Sequence, residues 1–122
     1  MLRLARVQVR AQELISQALG GRASTAFTRL DLSGKSYSPT AALVFSGAIR
    51  MMPNLAQAGL SDVIAGQETE DGFAVLKTLG DALADTKLEG LDLSENALGP
   101  KGVAACSAAF GADLKTLRMC NN

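Results

Sequence analysis

The sequence predicts an α/β fold, a right-handed solenoid in which short parallel strands alternate with helices. Three observations predict it. A leucine pattern with fixed offsets recurs four times along the chain. A stretch with helical apolar spacing follows each of the first three copies. The apolar content is mainly Leu, Ala and Val, with 4% aromatics and no Trp. That composition suits helices packed on short strands better than a sandwich rich in Tyr and Trp.

The clearest copy is Leu88-Glu89-Gly90-Leu91-Asp92-Leu93-Ser94-Glu95-Asn96-Ala97-Leu98. It matches the leucine-rich-repeat pattern L-x-x-L-x-L-x-x-N-x-L at every marked position. Phe27, Leu30, Leu32 and Lys35 occupy the same four offsets, with Tyr37 at the fifth. Leu55, Ala58, Leu60 and Val63 do so again, as do Leu114, Leu117, Met119 and Asn122. The starts Phe27, Leu55, Leu88 and Leu114 give periods of 28, 33 and 26 residues. The middle period exceeds the usual range of about 20–29 and must hold an insertion. The predicted repeats are 27–54, 55–87, 88–113 and a partial 114–122. Within each L-x-L, a strand turns both apolar side chains to the core and the residue between them to the open face. The Asn at the end of the pattern turns the chain and offers its amide to backbone groups that the turn leaves unpaired. Asn96 holds that place; Lys35 and Val63 do not, so the first two repeats are degenerate.

The return segments read as helices. Pro39 opens the first, with Ala42, Phe45, Ile49 and Met52 on one stripe, and Pro53-Asn54 closes it. Phe73, Leu76, Leu79 and Leu83 form the second stripe, with Glu70 and Asp71 suited to its N-terminus. Pro100 and Gly102 open the third, followed by Val103, Cys106 and Phe110. Strand followed by long helix matches the ribonuclease-inhibitor-like class, a horseshoe segment with parallel strands inside and helices outside. Residues 1–26 carry no repeat. Val7 and Val9 read as an edge strand, Ala11 to Leu19 as a helix ended by Gly20-Gly21, and together they read as an N-terminal cap. No cap follows the last repeat, so the chain is expected to be a fragment of a longer array.

Composition excludes several functions. Twelve basic and 12 acidic residues leave zero net charge, without the basic excess of a nucleic-acid binder. His is absent, which excludes a His metal site or a His general base. No cofactor or metal is expected. No segment approaches a membrane span, and the charged N-terminus lacks the apolar run of a signal peptide. Cys106 and Cys120 are expected as two buried thiols in a reducing compartment.

Two stretches carry a resemblance. Leu60-Ser61-Asp62-Val63-Ile64-Ala65-Gly66, followed by Glu68, Glu70 and Asp71, resembles the segment "LSDFVAGR" of plant- and alga-type Ran GTPase-activating proteins. Lys87 to Gly102 resembles their "KLRYLNLSDNALGEKG", and Leu117 to Asn122 their next strand, "LYLMND". The similarity covers about Thr28 to Asn122. It implies an activator that binds the Ran GTPase in its GTP form, without an arginine finger. In that family an Asn in a loop after a repeat strand helps fix the GTPase's own Gln, which orients the attacking water. Positioning of this kind suits phosphoryl transfer. By this resemblance the Asn falls on Asn121. The family's Arg after the insertion Gly falls on Gln67, and a neutral amide supplies neither its charge nor its bidentate fork. Either activation is weakened or a neighbour such as Lys77 or Arg118 compensates. The resemblance also implies a monomer in the cytoplasm, with the nuclear envelope as a second location.

The remaining candidates are partner-facing. Asn121 aligns with Glu95, Asp62 and Gly34, at a rim position where the repeat makes no demand for an amide. Asp31 and Asp92 are expected on the concave face, where they would form an acidic strip, with Arg118 on the last strand. Asp81 and Asp85, spaced i, i+4, read as solvated helix carboxylates, Met51-Met52 as core filler, and Gly20-Gly21 lacks the sequel of a phosphate loop. The alternative to a GTPase activator is a leucine-rich-repeat scaffold that binds another protein, and Gln67 favours that alternative.

Overall fold

A computed structural model describes residues 26–122. The expected N-terminal cap lies outside the described residues, apart from Ala26. Four three-residue strands alternate with three helices: β1 Arg29–Asp31, α1 Pro39–Arg50, β2 Gln57–Gly59, α2 Thr69–Leu83, β3 Gly90–Asp92, α3 Gly99–Cys106 and β4 Thr116–Arg118. The strands form one parallel sheet in chain order, β1-β2-β3-β4. Leu30 pairs with Ala58, Ala58 with Leu91, and Leu91 with Leu117, the register the repeat alignment requires. This mixed α/β arrangement is compatible with a leucine-rich-repeat fold.

The repeat pattern accounts for the core. Leu88, Leu91, Leu93 and Leu98 of the third copy are all buried, and so are Leu55, Ala58, Leu60 and Val63 of the second. They meet the inward stripes of α1 and α2, including Phe45, Ile49, Leu76, Leu79 and Leu83, in one cluster. The ring of Tyr37 packs edge-on against Phe45, with centroids 5.2 Å apart. Gly80 is needed where α2 meets α3, because a Cβ there would stand 3.1 Å from the carbonyl oxygen of Cys106. Helix starts follow local chemistry. Pro39 stands in the first turn of α1, and the Ser38 hydroxyl accepts the Ala41 amide at 3.1 Å. Glu70 and Asp71 occupy the first turn of α2, where the helix dipole favours negative charge. The 33-residue period is accommodated by the connection 60–68 and by α2, which has 15 residues against 12 in α1 and 8 in α3.

Several expectations are corrected. The third helix ends at Cys106 and passes into a 3-10 turn, Ser107–Ala109, so Phe110 packs on the core from beyond it. Met52 is buried just past α1, whereas Met51 is 66% exposed and fills no core. Asp85 lies after the end of α2; it pairs with Arg50 at 3.3 Å, and Asp81 with Lys77 at 3.1 Å. Cys106 is buried, but Cys120 is exposed. Leu117 points along the expected pattern yet remains 41% exposed, because β4 has a single strand neighbour, β3.

Candidate functional site

The parallel register sorts the candidate residues into two rows. Asp31, Gly59, Asp92 and Arg118 are successive partners across the sheet, one strand spacing of about 4.8 Å apart. Arg29, Gln57, Gly90 and Thr116 lie two residues earlier, and both sets line a shallow trough of about 320 Å³ on the open face. The strip is not purely acidic: Arg29 and Arg118 stand at its two ends. Each Asp is already engaged locally. Asp31 Oδ1 accepts the Ser33 amide at 3.0 Å, and Asp92 Oδ1 accepts the Ser94 amide at 2.9 Å. The bond from Ser33 holds the Asp31 carboxyl below its ordinary pKa.

The second row runs along the loops that leave the strands. Gly34, Asp62, Glu95 and Asn121 occupy equivalent positions, and all four have left-handed backbone, with φ of 80°, 53°, 65° and 57°. The rim position therefore makes a conformational demand that the repeat alignment alone did not reveal. Gly meets it without cost, Asn and Asp at little cost, and Glu least readily. Asn121 is exposed, and its Nδ2 donates to Glu95 Oε1 at 2.6 Å. Asp62 and Glu95 are exposed on the same rim.

Behind the rim, Asn side chains tie each turn to the one before it. Asn96 is buried; its Oδ1 accepts the Val63 amide at 2.9 Å, and its Nδ2 donates to the carbonyls of Leu60 (2.7 Å) and Leu93 (2.9 Å). Asn122 repeats the device one turn on, accepting from the Asn96 amide at 2.8 Å and donating to Leu93 at 2.9 Å. Asn122 is thus occupied by the turn, whereas Asn121 faces outward. A second ladder was missed at the sequence level. The Ser33 hydroxyl accepts the Ser61 amide, and the Ser94 hydroxyl accepts the Cys120 amide, both at 3.0 Å. The signal was present in the recurrence of Leu-Ser at Leu32-Ser33, Leu60-Ser61 and Leu93-Ser94.

Gln67 is placed differently. Its Nε2 donates to Ser36 Oγ at 3.0 Å and to the Tyr37 carbonyl, and Ser36 Oγ in turn donates to the Ala65 carbonyl at 2.8 Å. The side chain thus fastens the 60–68 connection to the preceding turn. Gln67 and Glu95 both line a hollow of about 360 Å³ between the 60–68 connection and the turn after β3. Neither possible compensating cation stands at Gln67. Lys77 lies about 12 Å along α2 from its start, bonded to Asp81, and Arg118 lies on the sheet face. Among the described residues no group of three or more acidic, Cys or His side chains could hold a metal ion. None of the described helices is long and apolar enough to cross a membrane.

The chain is 38% identical over 93 residues, 75% of its length, to RAN GTPase-activating protein 2 of Arabidopsis thaliana. It is related to the Ran GTPase-activating proteins. Ran GTPase-activating protein 1 of Xenopus laevis is 36% identical over 81 residues, 65% of the chain. RAN GTPase-activating protein 1 of Arabidopsis thaliana is 31% identical over 94 residues, 75% of the chain. The aligned stretches cover only 16%, 14% and 18% of these three Ran GTPase-activating proteins, about one sixth of their length. No family model matches the chain.

Proposed function

We propose that this chain forms part of a surface that stimulates GTP hydrolysis by the Ran GTPase and performs no bond-breaking chemistry itself. The observation that carries the reading is the rim: Asp62, Glu95 and Asn121 occupy equivalent left-handed positions on consecutive turns, in a chain whose relatives are named as activators of Ran. Asn121 helps fix the GTPase's catalytic Gln, so that the water it orients attacks in line; Asp62, Glu95, Asp31, Asp92 and Arg118 contact the partner around it. The partner is Ran in its GTP form, and the chain acts as a monomer in the cytoplasm or at the nuclear envelope. The repeats curve as a leucine-rich-repeat solenoid, with the rim loops along one edge. Stimulation of GTP hydrolysis by Ran tests the reading: the chain accelerates hydrolysis, and Asn121→Ala removes most of the acceleration. An unaccelerated rate with the intact chain would sink the proposal.

A second reading, a scaffold that binds another protein, is favoured by one observation. Gln67 stands where the family has Arg and spends its amide on Ser36 and Tyr37. Binding to Ran that ignores the bound nucleotide, together with Gln67→Arg leaving GTP hydrolysis unaltered, would favour the scaffold.

A further inference from the structure

We infer that Glu95 is a positioning residue: by holding the Asn121 amide nitrogen it leaves Asn121 Oδ1 facing outward, so that this rim selects an N–H donor on the partner. The inference rests on the reading of Asn121 given above. A carboxylate only accepts hydrogen bonds, so the 2.6 Å contact to Glu95 Oε1 must be made by Nδ2. That choice fixes the side-chain amide, which would otherwise turn either face outward. The outward atom is then a carbonyl oxygen, one turn from the Glu95 carboxylate and two turns from that of Asp62. The carboxylates of Asp62 and Glu95 and the Asn121 Oδ1 all accept, and the second Asn121 Nδ2 hydrogen is the one donor left, so the row fits a primary amide or a guanidinium better than a carboxylate or phosphate.

The backbone supplies an independent argument. Glu95 sits at φ 65°, where Gly, Asn or Asp would be accommodated more easily. Gly34 and Asp62 fill the equivalent positions with the favoured types. A carboxylate reaching the next turn is what Glu adds at this place, and the strain is offset by the contact it makes there.

The test uses the full chain. Glu95→Gln preserves length and backbone demand but can turn either a donor or an acceptor to Asn121. In Ran GTP hydrolysis, Glu95→Gln, which replaces a charge-assisted bond with a neutral one, is expected to lower kcat about threefold to tenfold with KM changed less, the range one ordinary hydrogen bond supplies. In an Asn121→Ala background the same change is expected to leave kcat where Asn121→Ala put it, any effect of Glu95's own partner contact falling on KM. Glu95→Asp, one methylene shorter, should lie between. In the isolated chain, the Asn121 side-chain amide resonances should shift in Glu95→Gln while the other Asn side-chain amides stay in place. If Asn121→Ala is impaired but Glu95→Gln matches the unaltered chain, or the two effects multiply, the positioning role is overturned and the Asn121 reading stands. If Asn121→Ala matches the unaltered chain, the Asn121 reading fails and this inference falls with it.

Discussion

Asn96→Ala offers a quantitative test of how the turns are tied together. The residue is 4% exposed and its side chain makes three hydrogen bonds. Truncation leaves the Val63 amide and the Leu60 carbonyl without their side-chain partner. The Leu93 carbonyl keeps Asn122 Nδ2 at 2.9 Å. Each orphaned buried group costs about 1–3 kcal/mol. Water can enter the adjoining hollow, which Asn96 itself lines, so the low end applies and the loss is about 2–3 kcal/mol. Asn122→Ala is the internal control. It removes the acceptor of the Asn96 amide and one of two donors to the Leu93 carbonyl, which keeps Asn96 Nδ2; the site is partly exposed, and the expected loss is about 1 kcal/mol. Urea unfolding followed by circular dichroism would measure both, as shifts in midpoint at constant slope. Hydrogen exchange should show the Val63 amide losing protection in Asn96→Ala. A loss below about 1 kcal/mol, or one no larger than that of Asn122→Ala, would refute the idea that the buried Asn replaces main-chain pairing in the turn.

Three other outcomes are expected. Gln67→Arg can retain donation to Ser36 and Tyr37 while adding a charge, so it should raise stimulated Ran hydrolysis about tenfold, the ratio one charged contact in the transition state supplies; an unchanged rate argues against an activating role for that position. A thiol reagent should modify Cys120 rapidly in the native chain and Cys106 only on unfolding, since burial raises the Cys106 thiol pKa; rapid modification of both would contradict the packing of α3. Asp31 has a lowered folded pKa, so the stability it contributes is present above the ordinary value of about 3.9 and is lost as pH falls through the folded value. Asp31→Asn should therefore flatten part of the acid dependence below about pH 4; a carboxyl titration midpoint at or above the ordinary value would contradict it.

The elements that the sequence announced most clearly are those in which one side chain has one possible role. Leucines at strand offsets are turned to the core side, and Asn96 at the turn bonds backbone, so strand order, register and the Asn ladder were legible. The third helix was read too long because Phe110 fits a helical stripe by spacing, and spacing does not register a change to 3-10 geometry after Cys106. Cys120 was misjudged because residue type predicts burial only on average, and the turn after β4 has little packed over it. At the candidate site, the alignment of Asp62, Glu95 and Asn121 could be read, but their shared left-handed backbone could not. Three different side chains occupy that backbone, and only Gly34 hints at it. The engagement of Gln67 was likewise hidden, since its partners Ser36 and Tyr37 lie some thirty residues away.

The unequal helices have a geometric consequence. Helix lengths of 12, 15 and 8 residues lie behind strands that are each three residues long and paired without a slip. Growth or shrinkage of a connection at the back is absorbed there, while the front edge keeps graduations of one strand spacing, about 4.8 Å. The edge works as a ruler whose marks do not move when the material behind it changes thickness. A protein docked along this edge would therefore meet its contacts at fixed intervals across turns of 28, 33 and 26 residues.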